Sequence, residues 1–165
     1  MLKRSDRIGA RARLLPVSTI ALLAQISIAH AATVSPLGDW VTPDRETGKP
    51  RSVVRIEKDG DILVGRIVRG IGHFEQAEKT CSKCTDDRKD KPLLGMDVIR
   101  DAREQDDGDQ QQWFGEILDP DSGKVFKLRM RVEADGNTLE LRGYRGTPML
   151  GRTIEWKRLP PGAQP

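Results

Sequence analysis

The chain has two histidines and two cysteines among 165 residues, and aromatic side chains make up only 4% of it. Each scarcity excludes something. His30 falls inside an N-terminal leader, which leaves His73 alone for the rest of the chain. Acid–base catalysis built on an imidazole therefore has a poor footing. No G-x-S-x-G, H-E-x-x-H, P-loop or G-x-G-x-x-G pattern occurs. There is no internal repeat, no heptad pattern, and no uninterrupted apolar run of the roughly 20 residues that a membrane helix needs.

What is present begins with a leader. Lys3, Arg4, Arg7, Arg11 and Arg13 are followed by an uncharged stretch, Leu14–Ala29, and then by Ala29-His30-Ala31. This is the layout of a secretory signal peptide over residues 1–31, cleaved before Ala32. A membrane anchor fits less well, because the apolar stretch is short and diluted by Pro16, Ser18, Thr19, Gln25 and Ser27. The expected location is the bacterial periplasm or the medium, with no transmembrane segment after cleavage. Losing the leader removes five basic residues and one acidic residue and leaves 23 Lys/Arg against 24 Asp/Glu. The basic pI near 9.0 belongs largely to the discarded segment. Without a basic excess or a basic stripe interleaved with aromatics, nucleic-acid binding loses its support.

The remaining chain has a hydrophobic period of two. In Val125–Glu133, Phe126, Leu128, Met130 and Val132 alternate with Lys127, Arg129, Arg131 and Glu133, as a half-buried strand requires. Comparable segments lie at residues 37–42, 52–58, 62–68, 92–99, 112–118, 138–144 and 151–159. Tight turns are expected at Asp59-Gly60-Asp61, at residues 119–124 and at Asp135-Gly136-Asn137, since Asp, Asn and Gly tolerate positive φ. Consecutive hairpins with no convincing long helix predict an all-β fold: a single antiparallel up-and-down β-barrel of about eight strands over residues 32–159, with a disordered tail at 160–165. A barrel of that size is filled by side chains or holds one small ligand.

Cys81 and Cys84 lie in a long polar stretch, Gly70–Pro92. A thioredoxin-type redox pair would need a βαβ setting that is missing. A closed zinc site would need four ligands, and Cys81, Cys84 and His73 are one short unless Asp86 or Asp87 joins. In an oxidising compartment so close a pair forms a disulfide, here a local staple for the loop. Asp106, Asp107 and Asp109, within the acidic stretch Asp101–Gln112, have a loosely calcium-like spacing but lack the other ligands of an EF-hand. That stretch reads as a solvated loop. The residues call for no metal and no cofactor.

Gly38-Asp39-Trp40 on the first strand, with Arg152, Trp156 and Arg158 on the last, resembles the closure of lipocalin barrels. There an arginine lies over the indole where first and last strands meet. A wider resemblance covers Leu37–Leu159. Its marks are Trp113, Gly115, Ile117, Asp119, Pro120, Gly123 and Lys124, then Leu139, Arg142, Gly143 and Tyr144, then Gly151, Arg152, Thr153, Trp156 and Arg158. On these the chain resembles the bacterial domain-of-unknown-function family 2147. Phe126 departs from the tyrosine commoner there. The resemblance implies a small exported lipocalin-like barrel and carries over no catalytic residues.

Within such a barrel, Trp40, Trp113, Phe126, Tyr144 and Arg152 are the candidate ligand contacts, most of them large aromatics on strands near the presumed openings. Glycines 143 and 146, flanking Tyr144 and Arg145, mark a bulge, a close backbone approach or simple sheet curvature. The expected function is a non-enzymatic binding module for an apolar or amphipathic small molecule. The alternatives are an envelope structural or adaptor protein with a filled core, and a redox or metal-binding protein using Cys81 and Cys84.

Overall fold

The computed structural model describes residues 34–75, 79–106 and 111–163. The leader, the cleavage point, Asp107, Asp109 and the last two residues lie outside them. Eight strands follow one another: β1 Gly38–Pro43, β2 Pro50–Asp59, β3 Ile62–Gly70, β4 Asp97–Asp106, β5 Gln111–Asp119, β6 Lys124–Val132, β7 Thr138–Tyr144 and β8 Arg152–Arg158. Each pairs antiparallel with the next, and β8 returns to β1 through Trp40↔Arg158 and Val41↔Lys157, so the barrel is closed. This is the expected all-β, up-and-down architecture.

Alternation explains why these segments are strands. In β6, Leu128 and Met130 are buried while Lys127 is exposed between β5 and β7, and the β5–β6 and β6–β7 registers run without a shift. Leu139 and Leu141 continue the inward face on β7. No bulge occurs at Gly143, which pairs regularly with Leu128 and Arg152. The tight approach is at Gly151 instead, where an added Cβ would come within 2.9 Å of Gly143 O. Gly146 serves the β7–β8 loop with φ +72°.

Two expectations change in the β3–β5 region. The fourth strand starts at Asp97, not at residue 92, and the acidic stretch read as a loop runs as strand through Asp106 and again from Gln111. A bulge interrupts this strand. Asp101 takes φ +54°, and the β4–β5 register shifts between Arg100 and Arg103. Ile99 and Ala102 are then buried three positions apart, which breaks the every-other-residue signature. The bulge brings the backbone of Ala102 to within 2.7 Å of any Cβ at Gly115, so only glycine fits there.

An up-and-down barrel has two ends. The β2–β3, β4–β5 and β6–β7 turns and both termini of the barrel lie at one end; the other four connections lie at the opposite end. Around the first end the interior is filled by Trp40, Ile56, Ala102, Trp113, Met130 and Leu139, all buried in one apolar cluster. Arg158 closes it. Its guanidinium carbon lies 4.1 Å from the Trp40 ring centroid, and it donates to Ser35 O, Leu37 O and Gly136 O. Trp40 Nε1 donates to Pro36 O at 2.8 Å. Each polar atom of the closure thus has a partner, as burial demands. Burial also lowers the pKa of Arg158.

Candidate functional site

At the opposite end the interior is open. A cavity of about 1040 Å³ enters the barrel there, at the upper edge of the size range of small-molecule sites. Its base is apolar: Val54, Ile67, Ile117, Phe126, Leu141, Ile154 and Trp156. These residues converge because β2, β6 and β8 begin at this end while β3 and β5 finish at it. The one polar pair low in the wall is Thr42 and Ser52, cross-strand neighbours whose hydroxyls bond each other at 2.7 Å. Bonding each other, they leave the wall without an unsatisfied polar group.

The rim is charged and ordered by its own interactions. In the β1–β2 loop Asp44 accepts from the backbone N–H of Glu46 and Thr47 and from the Thr47 hydroxyl, which lowers its pKa. Arg51 grips Asp121 through two guanidinium nitrogens and holds that carboxyl below its usual range. Arg51 also lies 3.9 Å from the Phe74 ring centroid, with Lys79 Nζ at the same distance. Arg45 pairs with Asp119 at 2.9 Å. A second, charged hollow of about 560 Å³ lies between Asp44, Arg51, Phe74, Asp121 and Arg152.

One wall of the mouth is the β3–β4 connection, which carries the cysteines. Cys81 and Cys84 form a disulfide, and both are buried in the core cluster. The loop is pinned by backbone bonds Cys81 N–H to Lys91 O, Leu93 N–H to Lys79 O and Gly95 N–H to Ile67 O. It packs on the β5–β6 hairpin. Cys81 Sγ lies 3.7 Å from Pro120 O, and a Cβ on Gly123 would meet Lys83 O at 1.9 Å. Buried Arg88 donates to Asp86 and to Asp97 O; its bonds bring the Asp86 carboxyl down to about 2. Asp87, paired with Arg100, is lowered as well. The staple therefore does more than tidy a loop: it anchors a wall of the cavity, with Leu93, Leu94 and Lys79 in the lining.

Of the five candidate contacts, Phe126, Tyr144 and Arg152 come together on the cavity. Trp40 and Trp113 do not line it; they are buried toward the closed end. Trp156, read from the sequence only as part of the closure, forms part of the lining instead. The aliphatic base and the Cys81 loop were not anticipated as site elements. Among the described residues, no three His, Cys, Asp or Glu side chains converge to hold a metal, and no helix is long and apolar enough to cross a membrane.

Residues 38–158 match the family described as "Uncharacterized protein conserved in bacteria (DUF2147)". A similar solved structure is that of protein HP1028 from the human pathogen Helicobacter pylori, described as belonging to the lipocalin family. The two chains are 20% identical, the match covers 78% of this chain and 86% of that one, and the TM-score is 0.65. At that identity the likeness concerns the fold. No curated protein matches the chain.

Proposed function

Because the chain belongs to the bacterial DUF2147 family and forms a lipocalin-like barrel that is filled at one end and open at the other, we propose that it is an exported, non-enzymatic binding module for an apolar or amphipathic small molecule. The cavity of about 1040 Å³ carries this reading. An adaptor with a filled core has no use for such a void, since an unfilled apolar interior forgoes packing. Barrel mouths are a common setting for ligand sites. Phe126, Tyr144, Arg152 and Trp156 are the contacts this reading assigns, with Val54, Ile67 and Ile154 supplying the apolar floor.

Two features support work outside the cytoplasm. The leader has the charge, apolar stretch and small-residue end of a signal peptide. The Cys81–Cys84 disulfide suits an oxidising compartment. Its burial favours a structural role over redox exchange, which needs a sulfur open to attack. N-terminal sequencing of protein recovered from a periplasmic fraction is expected to start at Ala32, and a full-length cytoplasmic product would overturn export.

The binding reading is tested by thermal melts against a panel of apolar and amphipathic small molecules. A ligand present at about 100 times its Kd adds roughly 2.7 kcal/mol to the folded state and raises Tm by several degrees. Ile154→Phe places a ring in the cavity and is expected to reduce that rise. A flat panel, or a rise that Ile154→Phe leaves unchanged, would refute the proposal.

A further inference from the structure

Building on the reading of the cavity as a ligand site, we infer that its ligand is an amphipathic anion: a hydrocarbon tail on the apolar floor and a carboxylate or phosphate monoester at the mouth, held by Arg145 and Arg152. The argument rests on which rim charges are already paired. Arg45 is paired with Asp119, Arg51 with Asp121, and the rim carboxylate Glu155 with Lys157. Asp44 is engaged by its own turn. Four cations on the cavity remain without an ion-pair partner among the described residues: Arg69, Lys79, Arg145 and Arg152. Against them stand two rim carboxylates without an ion pair, Asp44 and the exposed Glu75.

Position matters as much as number. The Arg145 guanidinium carbon lies 5.2 Å from the ring centroid of Phe126, and that ring is part of the apolar lining. Arg152 lines both the main cavity and the charged hollow beside it. Positive charge thus sits where the greasy floor gives way to the mouth. An exposed arginine facing water needs no partner. A ligand head group that covers it strips that water away, and the loss is offset only if the head group is an anion. Guanidinium groups suit carboxylates and phosphates because both offer paired oxygens to a planar fork of donors. An uncharged head would leave both arginines desolvated and unpaired.

The test titrates the purified protein with dodecanoate, dodecyl phosphate, dodecan-1-ol and dodecyltrimethylammonium below micelle formation, reading the fluorescence of Trp156 at the cavity floor. The two anions are expected to bind about tenfold tighter than the alcohol, with the cation weakest. The preference should shrink as salt is raised. R145Q/R152Q should bring the anions to parity with the alcohol; an unaltered melt verifies the fold. Carboxylate against phosphate decides between the two head groups. If the alcohol binds the wild type as tightly as the anions, the inference fails and the binding reading survives. An anion preference that persists in R145Q/R152Q would remove these two arginines from the site. If no amphipath binds, both readings fall together.

Discussion

At the end of the barrel where β2–β3, β4–β5 and β6–β7 turn, the strands enclose Trp40, Ile56, Trp113, Met130 and Leu139 with the Arg158 guanidinium as a cap. At the other end the same strands surround a void, and their connections carry the charged loops and the disulfide. Strand pairing closes the barrel, although the β1–β8 seam pairs only at Trp40↔Arg158 and Val41↔Lys157, and backbone hydrogen bonding alone does not account for the void. Side-chain volume does. Two of the three tryptophans pack toward the filled end, whereas the open end is floored by aliphatic side chains, Phe126 and the face of Trp156. Stability is thereby concentrated where no ligand goes, and the mouth is free to vary in chemistry without endangering the fold.

The largest expected effect follows directly. Trp40→Ala removes a fully buried indole together with its bond to Pro36 O and the seat of Arg158. Truncations of that kind cost about 3–5 kcal/mol. Phe126→Ala, at the edge of an existing void, should cost less than about 1.5 kcal/mol, because no new sealed cavity forms. Urea denaturation of both variants measures the difference. Equal losses would mean that the two ends contribute alike.

Glycines sharpen the comparison. Gly123 at the open end and Gly136 at the closed end both have φ +68°. Their surroundings differ: nothing lies within 4 Å of a Cβ on Gly136, whereas one on Gly123 would strike Lys83 O at 1.9 Å. Gly136→Ala should therefore cost about 1 kcal/mol, the left-handed penalty alone. Gly123→Ala should cost about 3 kcal/mol or more, because the hairpin must also lift off the disulfide loop. A similar cost for the two would show that the loop yields.

The contrast between strands and site also marks what could be read from the residues alone. Strand alternation and Asx-Gly turns carry their own local physics, so β2, β3, β6 and β7 are legible from short windows. β4 is not, because the bulge at Asp101 inverts the parity on which such reading depends. Among the site candidates, parity separates inside from outside and says nothing about depth along the axis. Trp40 and Trp113 are early in β1 and β5, and odd-numbered strands start at the closed end. Strand order thus held the signal that sets these two apart from Phe126, which is early in an even-numbered strand. The docking of the Cys81 loop had no such signal. It depends on long-range contacts with Pro120, Gly123 and Ile67 that no sequence window contains.

Adding volume probes the same asymmetry from the other side. Ala102 is fully buried in the filled half, with its backbone close to Gly115. Ala102→Leu overpacks it and is expected to cost about 1–3 kcal/mol. Ile154→Phe adds a comparable amount of side chain beside the void and should cost under about 1 kcal/mol, or stabilise slightly through new packing. The same denaturation series reads both, and a large loss for Ile154→Phe would mean that the cavity is less accommodating than its volume implies.

The smallest effect expected is acid-dependent and belongs to the open end. Asp86, bonded by Arg88, has its carboxyl held at about 2, and Asp87 and Asp121 are lowered by Arg100 and Arg51. A carboxyl depressed in the folded state contributes stability above its unfolded pKa, near 3.8, and loses it as pH falls toward its folded value. The contribution is therefore full at pH 5 and fades between about pH 4 and pH 2. At the closed end Asp39 is lowered by Arg55, but both of those side chains face water and neither leaves a buried charge behind when the pair breaks. Protonating Asp86 does leave one, since Arg88 is buried and would keep only Asp97 O. Hydrogen exchange at pH 2.5 should consequently accelerate in residues 79–96 before it does in β6 and β7. Asp86→Asn should flatten the fall of Tm between pH 5 and pH 2.5, and an unchanged fall in that variant would assign the acid sensitivity to other carboxylates.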